Sequence, residues 1–369
     1  MFPVSKIIRE PRRYFIIKKS VKHKIVFLLL LSGLFCHVPA RGQTFGTYAY
    51  TFLEEPVSAR LSALGSNMAA IDDNDINVAF VNPSFISPAI NNDLSLAYVN
   101  YFAGFNYGAV QYSRTFNKAG SFLLGIRYLN YGKFDYANDA GNRGGTFGAA
   151  DYAVSIGWGR KLSSRFSIGA TGKLIYSHYE TYHSVGIAVD VAGTYKNNAN
   201  WIFSLVGSNI GRQLKSFVPG NTAPLPFDLQ LAVSKKLEHV PFRFSFVYDH
   251  IERWNISYYN TANPPGGVDP LTGEPLALTG FSKFSDRLMR HIIIGGEMLL
   301  GKHLSLRGSY NYRRRKELSI NQRIGMVGFS WGFGLRISHF SINYSRSTYH
   351  RAGSPNYFTI STSLDDFKR

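Results

Sequence analysis

Hydrophobic and polar residues alternate with a period of two along most of this chain. In AVSIGWGRKLSSRFSIGATGKLIYS, residues 153–177, Val154, Ile156 and Trp158 alternate with Ser155, Gly157 and Gly159; beyond a turn at 161–164, Phe166, Ile168 and Ala170 alternate with Ser167, Gly169 and Thr171. Successive side chains of a strand point to opposite faces, so the stretch predicts a hairpin. The pattern returns at Leu94, Leu96 and Tyr98, at Phe122, Leu124, Ile126 and Tyr128, at Val185, Ile187, Val189 and Val191, and at Trp201, Phe203 and Leu205. It continues at Phe227, Leu229, Leu231 and Val233 and at Phe242, Phe244, Phe246 and Tyr248. It is plainest near the end, where Val327, Phe329, Trp331, Phe333 and Leu335 alternate with Gly328, Ser330, Gly332, Gly334 and Arg336.

This reading predicts fourteen strands, near 94–101, 107–116, 121–132, 151–162, 165–176, 184–196, 200–210, 226–237, 242–251, 289–300, 303–313, 323–335, 337–346 and 356–364. Segments of about ten alternating residues suit a closed barrel in lipid, where an unpaired backbone group finds no partner. The expected class is therefore all-β, an antiparallel transmembrane β-barrel with a small irregular N-terminal hatch. The competing soluble sandwich would carry a charged solvent face, whereas the small face here is Gly- and Ser-rich. The expected inward set, Ser155, Ser167, Thr171, Lys173, Asp190, Asp228, Gln230 and Arg243, is polar.

Two segments do not alternate. Residues 43–92 hold PVSARLSALG, IDDND and NPSFISP and predict a hatch or plug ahead of the barrel at 93–369. Residues 253–288, centred on NPPGGVDPLTGEPLALTG, predict a long loop, and such barrels place their long loops outside. Within it Tyr258, Tyr259, Leu271, Leu276, Phe281 and Phe284 are candidate partner-binding residues, aromatic and aliphatic anchors among Pro and Gly.

Residues 1–42 read as a signal peptide: a basic leader, the apolar run IVFLLLLSGLFCHVPA, and small residues before Gln43. An uncleaved anchor is the alternative, for which the run is short. The chain carries a formal charge of +18; residues 1–42 hold nine of its 41 Lys and Arg and one of its 23 Asp and Glu, leaving 32 and 22, a net of +10. These cations are spread through turns, so nucleic acid is not an expected partner; outer-membrane lipid and lipopolysaccharide are. The single cysteine, Cys36, lies in the leader, which excludes disulfides and thiolate metal sites from the processed chain.

Catalytic and cofactor signatures are weak. His178 and His183 flank Glu180, and Asp249 precedes His250, without metal or triad spacing. Asp73, Asp75 and Asn77 resemble half a calcium loop, but Val78 stands where Gly belongs. No GxSxG occurs, and GNRGG at 141–145 lacks the Lys of a phosphate loop. The run RRRK at 313–316 reads as a solvated turn, with phosphate binding as the alternative. No enzyme, cofactor or metal is expected.

PVSARLSALGS, DDND and NPSFIS, together with LAYVNYFAGFNYGAVQYSRTF, PFDLQLAVSKKLEHVPFRFS, SYNYRRRKEL and GFGLRISHFSINYSRSTYH, resemble the PorV/PorQ family of the type IX secretion system, most of all its PorQ branch, over residues 46–367. The resemblance implies a fourteen-stranded barrel like the fatty-acid transporter FadL, with Arg60, Gly65, Asp72, Asp73, Asn82 and Pro83 as its hatch motif. It also implies an attachment complex with PorU, PorV and PorZ that joins secreted cargo to lipopolysaccharide, the chemistry belonging to PorU. Ser84 departs from the family's Asn-Pro-Ala. Two functions follow as expectations: a noncatalytic surface anchor, or a FadL-like channel for hydrophobic small molecules, which needs a continuous apolar path.

Overall fold

The computed structural model describes residues 48–367, apart from 66–67, 138, 258–265, 268, 270, 275, 277, 319–324 and 350–352. The expected signal peptide lies outside them. All fourteen strands form, and each pairs antiparallel with its sequence neighbours: β1 (Asp93–Asn100), β2 (Asn106–Phe116), β3 (Gly120–Ala137), β4 (Arg143–Lys161), β5 (Phe166–Tyr179), β6 (Tyr182–Lys196) and β7 (Trp201–Lys215), then β8 (Asp228–Lys236), β9 (Phe242–Tyr248), β10 (Ile292–Leu300), β11 (Leu304–Asn311), β12 (Phe329–Ile337), β13 (Phe340–Ser347) and β14 (Asn356–Ser363). β14 closes on β1, with Leu96 opposite Ile360, so the barrel has no free edge along its wall.

All the connections at one end are short, and the long ones lie at the other. Turns of a few residues follow β2, β4, β6, β8, β10 and β12, whereas the links after β7, β9 and β11 run over 216–227, 249–291 and 312–328. The predicted register is correct. Ile156, Leu205, Phe244, Trp331 and Ile360 stand out from the wall, and Ser155, Thr171, Lys173, Asp190, Gln230 and Arg243 are buried on its inner side. An outer belt of apolar side chains around a closed sheet is a lipid-facing surface.

Several boundaries differ from expectation, among them the end of β7, at Lys215 instead of 210. β3 and β4 continue past their neighbours, since β2 stops pairing at Asn106 opposite Asn130 and β5 stops at Tyr179 opposite Ala149, so residues 131–148 project beyond the long-loop rim. Phe147 packs against Phe134 at 5.4 Å and Tyr136 at 5.0 Å on this hairpin, while register shifts at Asn130–Lys133 and Asp135–Ala137 interrupt the strict alternation, which is why periodicity missed it. β12 begins at Phe329 instead of 323, because Tyr312–Leu318 forms a helix and Val327 is buried before the strand starts.

The core lies inside the barrel. Residues 48–92 form two short helices, α1 (Ala59–Ala63) and α2 (Ile76–Val81), joined by 3-10 turns. Ser58 caps α1 by accepting from Leu61 N–H at 3.3 Å, and Asp75 caps α2 by accepting from Asn77 N–H at 2.9 Å. Leu61, Leu64, Met68, Ile71, Phe80 and Ile86 are buried against Leu123, Ala153, Ile175, Val247, Ile293 and Tyr357 of the wall. The inner face is thus mixed, and the all-polar lumen expected above is corrected: apolar residues face inward wherever the hatch covers them.

Candidate functional site: a plugged lumen and an exposed loop face

The glycines that alternate with large residues on β4 and β5 are a seat for the hatch. A Cβ on Gly159 would lie 2.5 Å from the Pro83 carbonyl oxygen and one on Gly169 would lie 2.1 Å from it. Only residues without a side chain admit the Asn82–Pro83–Ser84 turn this close to the wall. Asn82 Nδ2 donates to the Ala69 carbonyl at 2.6 Å and to Thr194 Oγ1 at 3.2 Å, while its Oδ1 accepts from the Ser84 N–H at 3.0 Å. Ser84 Oγ lies 2.7 Å from Thr194 Oγ1, so the departure from alanine adds a hatch-to-wall bond. Gly65 takes φ +93° after α1, with Ile293 and Ser309 at the place of its absent Cβ.

A charge cluster holds the opposite side of the hatch. Arg60 of α1 donates to Asp73 (Nη2 to Oδ2, 2.6 Å), to Asp75 (Nη1 to Oδ2, 2.8 Å) and to both oxygens of Glu297 on β10. Arg243 of β9 donates to Asp73 and Glu297, each at 2.8 Å, and Arg307 of β11 donates to Glu297 at 2.9 Å. Three guanidiniums balance three carboxylates. Burial would raise the Asp73 carboxyl, but Arg60 and Arg243 outweigh it and hold that group well below the usual carboxylate range. Asp73 and Asp75 therefore face a guanidinium. Asp72 joins Lys196 at 2.8 Å, and across the wall Lys173 meets Asp190 at 2.6 Å. Sequence reasoning marked Arg60, Asp73 and Arg243 but missed Glu297 and Arg307; the available signal was a lone charge in an apolar strand, as in IIIGGEMLL and LSLRGSYN.

Two cavities flank the hatch. A vestibule of about 880 Å³ opens among the short turns and ends on Arg60, Asp73, Asp75, Arg243 and Arg307. A small space of about 50 Å³ near the long-loop end is lined by Glu54, Asp190, Asp228, Gln230, Asp249, His250 and Arg313. Both are ringed by polar groups. Beside the second, Asp228, His250 and Glu252 bring potential metal-ligating atoms together. These atoms already bond within the protein: the His250 backbone N–H donates to Asp228 Oδ1 at 3.0 Å, the His250 ring Nδ1 lies 3.1 Å from Glu252 Oε1, the Leu229 N–H donates to Glu252 Oε2 at 3.0 Å, and Arg253 Nε donates to Glu252 Oε1 at 3.1 Å.

At the long-loop face the 249–291 connection carries a helix, α3 (Gly280–Arg290). Its inner side is fixed by Arg290 Nε donating to Asp286 at 2.8 Å and by the Tyr312 hydroxyl donating to Asp286 at 3.0 Å. Its outer side presents Phe281, 83% exposed, and Phe284, whose ring lies 5.4 Å from that of Trp254; Leu271 before it is 96% exposed and Leu276 is also exposed. Tyr258 and Tyr259 lie outside the described residues. The RRRK run is not a solvated turn. It lies in α4 (Tyr312–Leu318), where Arg313 reaches Asp249 at 3.4 Å, Arg314 stacks 4.0 Å over Tyr349 and Arg315 donates to the Gly325 carbonyl at 2.8 Å.

No protein-family model matches the sequence, and no curated protein matches it. Among solved structures, the chain is similar to the toluene transporter TodX of Pseudomonas putida (TM-score 0.48, 11% identity, covering 83% of this chain and 96% of that one). It is likewise similar to the CymD monoaromatic hydrocarbon channel (0.46, 12%, 86% and 99%) and to a Pseudomonas aeruginosa FadL homologue (0.44, 11%, 82% and 98%).

Proposed function

We propose that this chain is a noncatalytic outer-membrane barrel that holds a partner protein at the cell surface, as the attachment-complex member of the type IX secretion system that its sequence resembles. The observation that carries this reading is the pairing of a hatch locked to both sides of the wall with an apolar loop face: Phe281 and Leu271 stand out from the long-loop end, 83% and 96% exposed among the described residues. A single-chain membrane protein gains nothing from such exposure in water, whereas a partner would bury it. PorZ, with PorU and PorV, is the partner set that the sequence resemblance supplies, and lipopolysaccharide is the destination of the cargo.

The test is to replace residues 266–279 with a Gly-Ser linker and to combine this with Phe281→Ser. The barrel is expected to stay heat-modifiable in the outer membrane while its partner no longer co-purifies and secreted cargo appears in the medium. Continued co-purification with cargo retained on the cells would overturn the reading.

The second reading is a channel for hydrophobic small molecules, and the likeness to the toluene transporter TodX and the CymD monoaromatic hydrocarbon channel supports it. It requires the hatch to move, because the vestibule leads to a cluster of ion pairs and not to an apolar path. Uptake of a monoaromatic solute that falls when the gene is deleted, with cargo attachment unchanged, would put this reading first.

A further inference from the structure

Part of the basic character of this chain lies along the short-turn rim. Each of the six short turns has Lys or Arg within it or near the end of the strand that leads into it: Lys118 after β2, Lys161 at the end of β4 with Arg165 after it, Lys196 at the end of β6, Lys236 at the end of β8, Lys302 after β10 and Arg336 next to the last residue of β12. Among the described residues, Lys196 is the one cation on these turns that pairs with a carboxylate. Among the described residues of the four turns from β2–β3 to β8–β9, Glu238 is the one acid.

Two further cations stand in the lipid-facing register itself. Lys235 pairs across the sheet with Trp201 on one side and Phe244 on the other, both exposed on the outer belt, and its Nζ lies 5.0 Å over the Trp201 ring. Arg160 follows Ile156 and Trp158 on the outer face and precedes the exposed Leu162. A cation whose stem lies along the apolar belt and whose head reaches the belt's edge meets the headgroup layer. The only dense anions at that depth are lipid phosphates.

From this charge complementarity and its continuity with the belt we infer that the short-turn rim, through Lys118, Arg160, Lys161, Arg165 and Lys235, is a docking collar for anionic phospholipid of the periplasmic leaflet. The inference rests on the membrane reading above, since short turns mark the periplasmic end of such barrels. Guanidinium and ammonium groups would share the phosphate oxygens, and each basic residue near an anionic surface adds about fivefold in partition at low salt.

The experiment inserts purified protein into vesicles of phosphatidylcholine alone or mixed with phosphatidylglycerol, and reads the lipid co-isolated with the barrel by native mass spectrometry. The wild type is expected to retain phosphatidylglycerol above its bulk fraction, an enrichment weakened by salt. A variant with these five residues changed to Gln should lose at least tenfold of it while staying heat-modifiable, and Lys133→Gln with Lys283→Gln, at the long-loop end, should not. Equal retention by the rim variant, or no enrichment by the wild type, would overturn the collar. Failure to insert at all would overturn the membrane reading instead. Loss of enrichment in the long-loop variant would show that overall charge, and not the rim, attracts the lipid.

Discussion

Arg60 and Glu297 meet as a fork on a fork: Nε donates to one carboxylate oxygen and Nη2 to the other, each at 3.0 Å, with the Glu297 side chain wholly buried. One residue belongs to the hatch and the other to β10. Arg60→Ala would leave a buried carboxylate with one guanidinium fewer, and removing one partner of a buried ion pair costs about 3–5 kcal/mol. The expected result is a barrel that unfolds at lower denaturant and a hatch that a protease reaches from the periplasmic side. A double-mutant cycle with Glu297→Gln should give a coupling of about 0.5–3 kcal/mol; additive effects would show that the fork does not hold the hatch.

The glycine seat predicts a second outcome. Gly169→Ala places a methyl 2.1 Å from the Pro83 oxygen, against backbone that cannot rotate away. Overpacking of this kind costs about 1–3 kcal/mol. The variant should still close its barrel but show faster hydrogen exchange at residues 82–86, whereas Gly172→Ala, with open space at its Cβ, should match the wild type.

Lipid-facing and lumenal substitutions should part company. Phe244→Arg moves a cation towards the membrane interior, at about 2–4 kcal/mol near the midplane. Ser245 and Ser330 look like natural controls by sequence, yet both are buried under the hatch and would suffer for a different reason. Ser341, on the vestibule wall, is the better control. Assembly yield should fall for Phe244→Arg and hold for Ser341→Arg.

The base of the long loop should respond to pH. Burial works against the charged His250 imidazole, but Asp249 and the hydrogen bond that the ring donates to Glu252 outweigh it and raise its pKa above the ordinary histidine value. A raised value in the folded state means that the charged ring contributes stability fully below pH about 6.5, the unfolded value, and that this is lost as pH rises through the folded value. Limited proteolysis of the 249–291 connection should therefore quicken as pH rises through that folded value. His250→Asn should flatten the dependence; an unchanged profile would assign it to another group.

Most of the wall was legible in the sequence because lipid imposes the same demand on every strand, and Ile156, Leu205 and Phe329 obey it. The residues that escaped are those answering to the hatch instead. Leu123, between Phe122 and Leu124, and Ile175, between Leu174 and Tyr176, break the alternation because both of their faces are apolar, one towards lipid and one towards the hatch. Glu297 and Arg307 escaped because their reason is Arg60, more than two hundred residues away in sequence. Phe281 and Leu271 were legible as apolar residues in a loop, but not as the outer side of a helix whose inner side is Asp286 and Arg290.

The hatch also has a consequence for how the wall can close. It is gripped near the long-loop end, where Ala49 N–H bonds the Pro224 carbonyl at 2.9 Å, and at the short-turn end, where Asn92 bonds Asp365 at 2.6 Å. Between these ends it touches β4 and β5 on one side and β10 on the other. The β1–β14 seam joins the two termini of the wall, which is the pairing with the greatest loop-closure entropy. A chain that zips this seam last has β4 to β13 already curved around residues 48–92, which then act as the mandrel on which the cylinder is wound, so a damaged hatch should appear first as slow closure and only afterwards as an unplugged pore.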